Sequence, residues 1–525
     1  MSAAPTLAEP EERSLHARLG LWIGPLACAL ILAGLLPGLD SAQRAVAGVT
    51  AWTVTWWMTG AVPVGAASLL PAALFPVLGV MPASVAAPIY LRDLVMLFLG
   101  AFVIALGLER WGVHRRMALS ILVRFGTSRR LLVLGFMCAA AFTSCWINNT
   151  ATTLLMLPIV LAVLDRVEGD GEQQSHSSFA TCLLLGTAYA ASVGGMGSPV
   201  GTAPNQEFLG QLAQRFPEAP KLGFGDWMLA WMPFVILFVP MAWWLLTRVL
   251  LPIPADDAGD SGIEAVREER ANQGPMNSAQ RRMAVVFGAT ALLWVTRADL
   301  NIGSLQIPGW SRLLYGSAAS DPLWLAAHKN DVSDATVAIF MALVCFALPA
   351  GKGRGALMDW RTAKRLPWDV LLLLGGGFCI AKGFQVSGLD RVLGGLLAPL
   401  YEDTSSWLVV GGTALLVSFL TELTSNTATT AVLLPVVGAA GVQAGLDPVS
   451  VMAPAALAAS AAFMMPVATP PNAVVFGSGR LKIGTMARVG LVLNLLAVVL
   501  LTLVFQLWVR RVWHVEDGLP SWAGG

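Results

Sequence analysis

Ile147-Asn148-Asn149-Thr150-Ala151-Thr152-Thr153 and Thr424-Ser425-Asn426-Thr427-Ala428-Thr429-Thr430 are two copies of one run, 426 − 149 = 277 residues apart. Each lies inside an apolar stretch, and each is followed by Leu-Pro, at Leu157-Pro158 and Leu434-Pro435. In a bilayer, hydroxyls and amides without partners are costly to bury, so such runs belong where they line a cavity. Two copies at corresponding places in two halves point to a transporter site near the membrane midplane.

Composition sets the frame. The chain has 525 residues, 56% hydrophobic and 12% charged, whereas soluble proteins are about one quarter charged. This is an integral membrane protein in contact with lipid, expected in the inner (plasma) membrane of the cell. Its apolar segments have the helix-spanning length of about 17–25 residues and lack the short alternating strands of an outer-membrane barrel. A net charge of +1 carries no nucleic-acid footprint. The segment Met1–Arg18 is polar, with no cleavable signal peptide expected, and Gly20–Leu36 is read as the first span. All six cysteines lie in apolar segments and read as packing residues. None of the five histidines sits in the middle of an apolar run, so no His-based metal or haem site is expected.

The chain divides into four parts: residues 1–40, a tail and first helix; 41–252, a first repeat; 253–282, a charged cytoplasmic loop; and 283–525, a second repeat. In the first repeat, spans are expected over Val46–Met58, Val62–Val80, Leu94–Leu108, Leu131–Leu164, Phe179–Gln206 and Trp227–Leu246. Met81–Arg92 is read as a connector, and Gly169–Ser178 and Gln211–Asp226 as polar links. In the second, spans are expected over Met283–Val295, Ala335–Leu348, Trp368–Lys382, Trp407–Leu446, Pro448–Gly479 and Val489–Trp508, with Gly388–Thr404 as a connector and a long polar link before Asp334. Three landmarks keep their order: Asp93 and Asp369 (369 − 93 = 276), Asn149 and Asn426, and Asn205 and Asn472 (472 − 205 = 267). Basic links at Arg110–Arg130 and Lys352–Arg365 should both be cytoplasmic. The first precedes its polar run directly, and the second is one span removed. The repeats are therefore expected to be inverted, with the N-terminus cytoplasmic, the C-terminus outside and eleven spans.

The stretches Leu131–Leu164 and Trp407–Leu446 are too long for one helix of about 20 residues. Each can form two full spans with a tight turn or a re-entrant helical hairpin with its tip at the Asn-Thr pair; the matched copies favour the hairpin, entered from the cytoplasm in the first case and from outside in the second. A polar patch between ordinary helices would explain one copy, but not two matched ones. The second pair of features is Gly194–Asn205 and Ala468–Asn472, where glycine and proline break the helix and expose carbonyls and a half-helix N-terminus. No Lys, Arg or His lies in Leu131–Leu164, Phe179–Asn205, Trp407–Leu446 or Pro448–Gly479, and Glu422 is the one charged residue within them. An anion bound there has no fixed cationic partner. Either the substrate is neutral or a cation travels with it, and oxygen-rich tips suit sodium.

The sequence resembles the divalent anion:sodium symporters, the carriers of dicarboxylates, citrate and sulfate. Ser425-Asn426-Thr427 matches the family's paired Ser-Asn-Thr motif, and Asn148-Asn149-Thr150 matches it except at the first position. Thr143-Ser144-Cys145-Trp146-Ile147 and Ala468-Thr469-Pro470-Pro471-Asn472 extend the resemblance, which covers nearly the whole chain. It implies an all-α polytopic elevator-type transporter working as a homodimer. It also implies one sodium site at Ser144, Asn148, Asn149 and Gly201, and another at Thr421, Thr424, Asn426 and Ala468. Substrate carboxylates would meet Asn149, Thr150, Thr202, Ser425, Asn426, Thr427, Thr469 and Pro470. Asn148 stands where the family has serine, and Ala203 where proline is frequent. The expected function is sodium-coupled uptake of a divalent anion, a C4-dicarboxylate such as succinate, malate or fumarate, with Na+ as coupling ion and no organic cofactor. A sodium-independent exchanger and a citrate or sulfate symporter of the same fold stay open. An enzyme is not expected, because the apolar segments offer no His, paired carboxylates or Ser-His arrangement.

Overall fold

The long apolar stretches fold as helices, and both doubly long ones fold as helix pairs. The structure is a computed structural model describing residues 14–125, 128–168, 177–254, 261–302, 305–314, 321, 324, 328 and 331–524. The polar link at 169–176 lies outside the described residues. In chain order, the principal helices are α1 (Leu15–Leu32), α2 (Ser41–Thr59), α3 (Asp93–Arg110), α4 (Val113–Leu122), α5 (Arg129–Ser144), α6 (Asn149–Glu168), α7 (Ser178–Met196), α8 (Ala203–Arg215) and α9 (Phe224–Trp244). After α10 (Ser261–Asn272), α11 (Ser278–Val295) and α12 (Asp334–Ala347) come α13 (Trp368–Ser387), α14 (Leu389–Leu397), α15 (Ser406–Thr421), α16 (Asn426–Gln443), α17 (Val449–Ala458), α18 (Pro470–Phe476) and α19 (Ile483–Val504). Seven helices among the described residues are long and apolar enough to cross a membrane.

The same order of elements occurs twice. A long helix (α3, α13) leads into a short amphipathic one (α4, α14), then a helical hairpin (α5–α6, α15–α16), a broken helix (α7–α8, α17–α18) and a last long helix (α9, α19). Even the ends agree, since α9 and α19 both run into π-helical turns, Leu245–Leu250 and Phe505–Val509. Pro158 and Pro435 stand inside the second arm of each hairpin.

The helices form two hydrophobic cores. One joins α4–α9 with α15–α19. The other joins α2, α3, α11, α12 and α13 and reaches Ile147, Val200, Ala428 and Ala431 at the tips and breaks. α7 is buried on every side from Phe179 to Met196, which is why it is apolar all round rather than on one stripe. Its contact with α5 is made by omission. A Cβ on Gly194 would stand 2.2 Å from the Ala141 carbonyl oxygen, so only glycine lets the backbones approach. α1, by contrast, leaves Leu15, Trp22, Ile23 and Leu26 exposed, as a lipid-facing helix does.

Several expectations need correction. Val62–Val80 is no continuous span. It forms two short helices, Val64–Ala67 and Leu70–Val77, together below the length a span needs. Pro63 caps the first and Pro71 starts the second, and the Gly65 N–H is held by Asp369 Oδ1 at 3.2 Å. The charged loop after Pro252 contains α10, tied to α4 by Arg115–Glu269 at 2.5 Å and to the end of α6 by Arg166–Glu268 at 3.3 Å. Met81–Arg92 and Gly388–Thr404 are largely helical rather than plain connectors. α8 continues to Arg215, through the start of the expected polar link. The link before Asp334 carries a small antiparallel strand pair, Leu300–Ile302 with Leu305–Ile307.

Candidate substrate and cation site

Each hairpin tip is built the same way. The first arm ends at Ser144 or Thr421, a few residues turn the chain, and the second arm starts at Asn149 or Asn426. The Ser144 hydroxyl donates to Asn149 Oδ1 at 2.7 Å, and the Thr421 hydroxyl donates to Asn426 Oδ1, also at 2.7 Å. Thr153 and Thr430 donate back to the Asn149 and Asn426 carbonyls at 2.9 and 2.7 Å. At the first tip Asn148 Oδ1 accepts the Ala151 N–H at 2.8 Å, a side-chain cap on α6. Trp146 anchors this tip, stacked on Phe224 with ring centroids 6.0 Å apart and edge-on to Phe287.

The breaks are matched as well. Asn205 Nδ2 donates to the Gly195 and Ser198 carbonyls at 3.0 and 2.7 Å, and Asn472 Nδ2 donates to the Ala462 and Met465 carbonyls at 3.1 and 3.0 Å. Each asparagine thus ties the start of one half-helix to the frayed end of the other, satisfying carbonyls that the break would orphan. A Cβ on Gly195 would lie 2.3 Å from Asn149 Oδ1 and 3.0 Å from the Gly201 carbonyl oxygen. The two oxygens therefore converge on one spot, kept open by a glycine.

Tips and breaks share a cavity of about 1030 Å³. Asn148, Asn149, Thr150, Gly201 and Thr202 line it from the first half, and Ser425, Asn426, Thr427, Ala468, Thr469 and Pro470 from the second. Ser144 and Thr421 lie fully buried behind the asparagines they contact. Thr424 is the exception. Its hydroxyl donates to the Leu420 carbonyl at 3.0 Å and meets the Thr429 hydroxyl, and it does not line the cavity. Phe98, Phe102, Val370 and Leu373 add an apolar wall from the second core, and Glu109 and His114 also line the cavity. These six carry no local signal in the sequence, because they reach the site only through the packing of α3, α4 and α13. The lining holds no lysine or arginine. His114 supplies no fixed charge either, since burial pushes its imidazole below the ordinary value while Nδ1 lies 3.1 Å from the Leu108 carbonyl.

Paired helical hairpins meeting broken helices in one cavity define a class, the all-α polytopic membrane transporters. Residues 21–515 match the family model described as the sodium:sulfate symporter transmembrane region. A sodium-dependent dicarboxylate transporter of Staphylococcus saprophyticus is 36% identical over 508 residues, covering 95% of this chain and 93% of its own. One from Staphylococcus aureus is 36% identical over 514 residues, covering 96% and 93%. The chain belongs to the sodium:sulfate symporter family, the divalent anion:sodium symporters that its paired motifs resemble. In overall fold it is also similar to MtrF of Neisseria gonorrhoeae (TM-score 0.54, 14% identity, 94% of this chain and 97% of the other) and YdaH of Alcanivorax borkumensis (TM-score 0.53, 15% identity, 93% and 98%). The family is one of transporters, not enzymes.

Proposed function

We propose that the protein takes up a C4-dicarboxylate, such as succinate, malate or fumarate, driven by sodium. The observation that carries this reading is a cavity rich in hydroxyls and amides, with two matched tips and no fixed cation in its lining. A dicarboxylate carries about two negative charges at neutral pH, since carboxyl reference values lie near roughly 4. At an effective dielectric of roughly 20, close charge pairs are worth several kcal/mol, and a helix N-terminus supplies only about half a charge. Two sodium ions, one per half, balance the substrate. Ser144, Asn148, Asn149 and Gly201 would hold one, and Thr421, Thr424, Asn426 and Ala468 the other. For Thr424, whose hydroxyl turns away, the carbonyl is the available ligand. Asn149, Thr150, Thr202, Ser425, Asn426, Thr427, Thr469 and Pro470 would meet the carboxylates. The similarity to sodium-dependent dicarboxylate transporters supports the same assignment.

In this reading the repeats are inverted, the N-terminus is cytoplasmic and the C-terminus outside, and the protein is a homodimer in the plasma membrane. The first core carries the site and moves against the second, like an elevator. The two separate cores support that division. The cavity's reach to Glu109, His114 and Pro367, beside both basic links, supports an inward-facing state. Cysteines placed at the exposed residues Arg124 and Arg354 should both be labelled from the cytoplasm. Labelling of either from outside would sink the inverted arrangement.

The functional test is a radiolabelled-substrate competition panel in proteoliposomes, with and without a sodium gradient. Sodium should stimulate uptake sigmoidally. Ser144→Ala or Thr421→Ala should raise the sodium needed for half-maximal uptake more than it changes substrate choice. Concentrative uptake with choline replacing sodium and no counter-anion inside would refute sodium coupling, and uptake that needs a counter-anion would favour exchange.

A further inference from the structure

Glu207 lies on α8, two residues past the bracing Asn205, and is fully buried. One carboxyl oxygen accepts Gln211 Nε2 at 3.0 Å, and the other has no hydrogen-bond partner. That free oxygen faces Gly377 of α13, where a Cβ would stand 2.4 Å from it, next to Ala431 of α16. α8 packs in the first core, while Leu374 and Phe378, on either side of Gly377, belong to the second. The carboxyl therefore sits in the seam between the two bodies.

The charged groups around it are committed elsewhere. On α13, Asp369 accepts the Gly65 N–H and Lys382 donates to Gln385. α16 and α17 carry no charged residue. On α3, Asp93 and Glu109 are themselves acids, and Arg110 pairs with Asp359 at 2.6 Å. Arg92, just before α3, donates to Gln214. Two turns along α8, Arg215 pairs with Asp390 of α14. Glu422, another buried acid, is different: it accepts from the Met464 and Met465 N–H groups and from Asn494 Nδ2 at 2.9, 3.0 and 2.7 Å. Three donors solvate a carboxylate, whereas one amide does not.

We propose that Glu207 is a proton-binding site at this seam. It holds a proton while α8 is packed on Gly377 and releases it to water as the two bodies move apart. A small cavity lined by Gln211, Gln214, Arg215, Gln385, Pro435 and Met452, about 10 Å³ and so the size of about one water, begins at the glutamine that bonds Glu207. It reaches Arg215, which pairs with Asp390. The release step rests on the proposed motion of the two bodies and the link to uptake on the sodium-coupled reading, whereas proton occupancy of Glu207 depends on neither.

Infrared spectra of the purified full-length protein in lipid, without substrate, test the site directly. The C=O band of a protonated carboxylic acid should be present at neutral pH, lost in Glu207→Gln and shifted in Glu207→Asp. Identical carboxylic-acid bands in wild type and Glu207→Gln would overturn the proposal, whatever the protein carries. For the link to transport, sodium-driven uptake of radiolabelled succinate is compared across external pH. Wild-type uptake should fall on the alkaline side, and Glu207→Gln should lose that arm and keep only the substrate's own titration. Superimposable profiles would overturn the link. An absence of succinate uptake by the wild type would count against the sodium-coupled reading instead.

Discussion

Behind the first tip, the Cys145 thiol donates to the Gly194 carbonyl at 3.0 Å, and the chain is held by glycines that let α7 lie against α5 and Gly201 against Gly195. Behind the second tip, the residue in Cys145's place is Glu422 (422 − 145 = 277). Its carboxylate clasps the Met464 and Met465 N–H groups and Asn494 Nδ2, and Asn494 Oδ1 in turn accepts the Phe463 N–H at 3.1 Å. The same asparagine geometry is thus reached by close packing in one half and by a buried polar strut in the other. Sequence identity at a tip therefore does not imply the same fragility behind it.

The tips themselves should fail alike, with the largest effect. Asn149→Ala and Asn426→Ala each remove the oxygen on which the hydroxyl of the first arm and the cavity converge. Each should bring uptake in proteoliposomes to background, while the thermal unfolding of the detergent-purified protein stays close to that of the wild type. Near-normal transport by either variant would reduce that run to a contact between helices.

Next in size is a methyl group. Gly195 and Ala462 correspond (462 − 195 = 267), and only the first must be glycine, since its Cβ would meet Asn149 Oδ1 at 2.3 Å. Gly195→Ala should lose most sodium-dependent uptake, and Ala462→Gly should keep it. Equal sensitivity of the two positions would break the contrast between a packed half and a strutted half.

The strut itself should show in stability. Glu422→Ala leaves two partly buried N–H groups and a buried amide without their acceptor, at up to about 1–3 kcal/mol for each unsatisfied group. Cys145→Ala removes a small packed side chain and should cost about 1 kcal/mol. Unfolding of the two variants followed in detergent should separate them clearly. Similar losses would mean that Glu422 braces nothing.

The sequence made the tips legible because their evidence is local: a polar run inside an apolar stretch, repeated at a fixed offset with Leu-Pro after it. Hairpins, breaks and most of the cavity lining followed from that. The braces were not legible. Glu422 and Asn494 are far apart in sequence, as are Glu207 and Gly377, and no spacing rule joins residues that meet only after packing. Val62–Val80 misled for another reason. Apolar composition reports burial or lipid contact, but not whether a helix continues, and here short helices rest against α13 instead of crossing. Thr424 shows a limit of carrying a motif over residue by residue, because the position matches while the hydroxyl turns back to its own helix.

The smallest effect is expected where the two tips differ in the motif itself. Asn148 and Ser425 correspond (425 − 148 = 277) and both line the cavity. Asn148 also caps α6 through the Ala151 N–H, whereas Ser425 makes no side-chain cap. Serine and asparagine are about equally good caps, so Asn148→Ser should leave stability within a few tenths of a kcal/mol. What the exchange removes is an amide that can both accept and donate, replaced by a hydroxyl that does the same at shorter reach. If Asn149 and the Gly201 carbonyl supply the main ligands, half-maximal sodium should shift by less than about threefold, which corresponds to about 0.65 kcal/mol, and substrate ranking should hold. Sodium titration of succinate uptake in wild type and Asn148→Ser measures this. A shift of tenfold or more, or an inverted substrate ranking, would make Asn148 a ligand in its own right and the first tip a different binding device from the second.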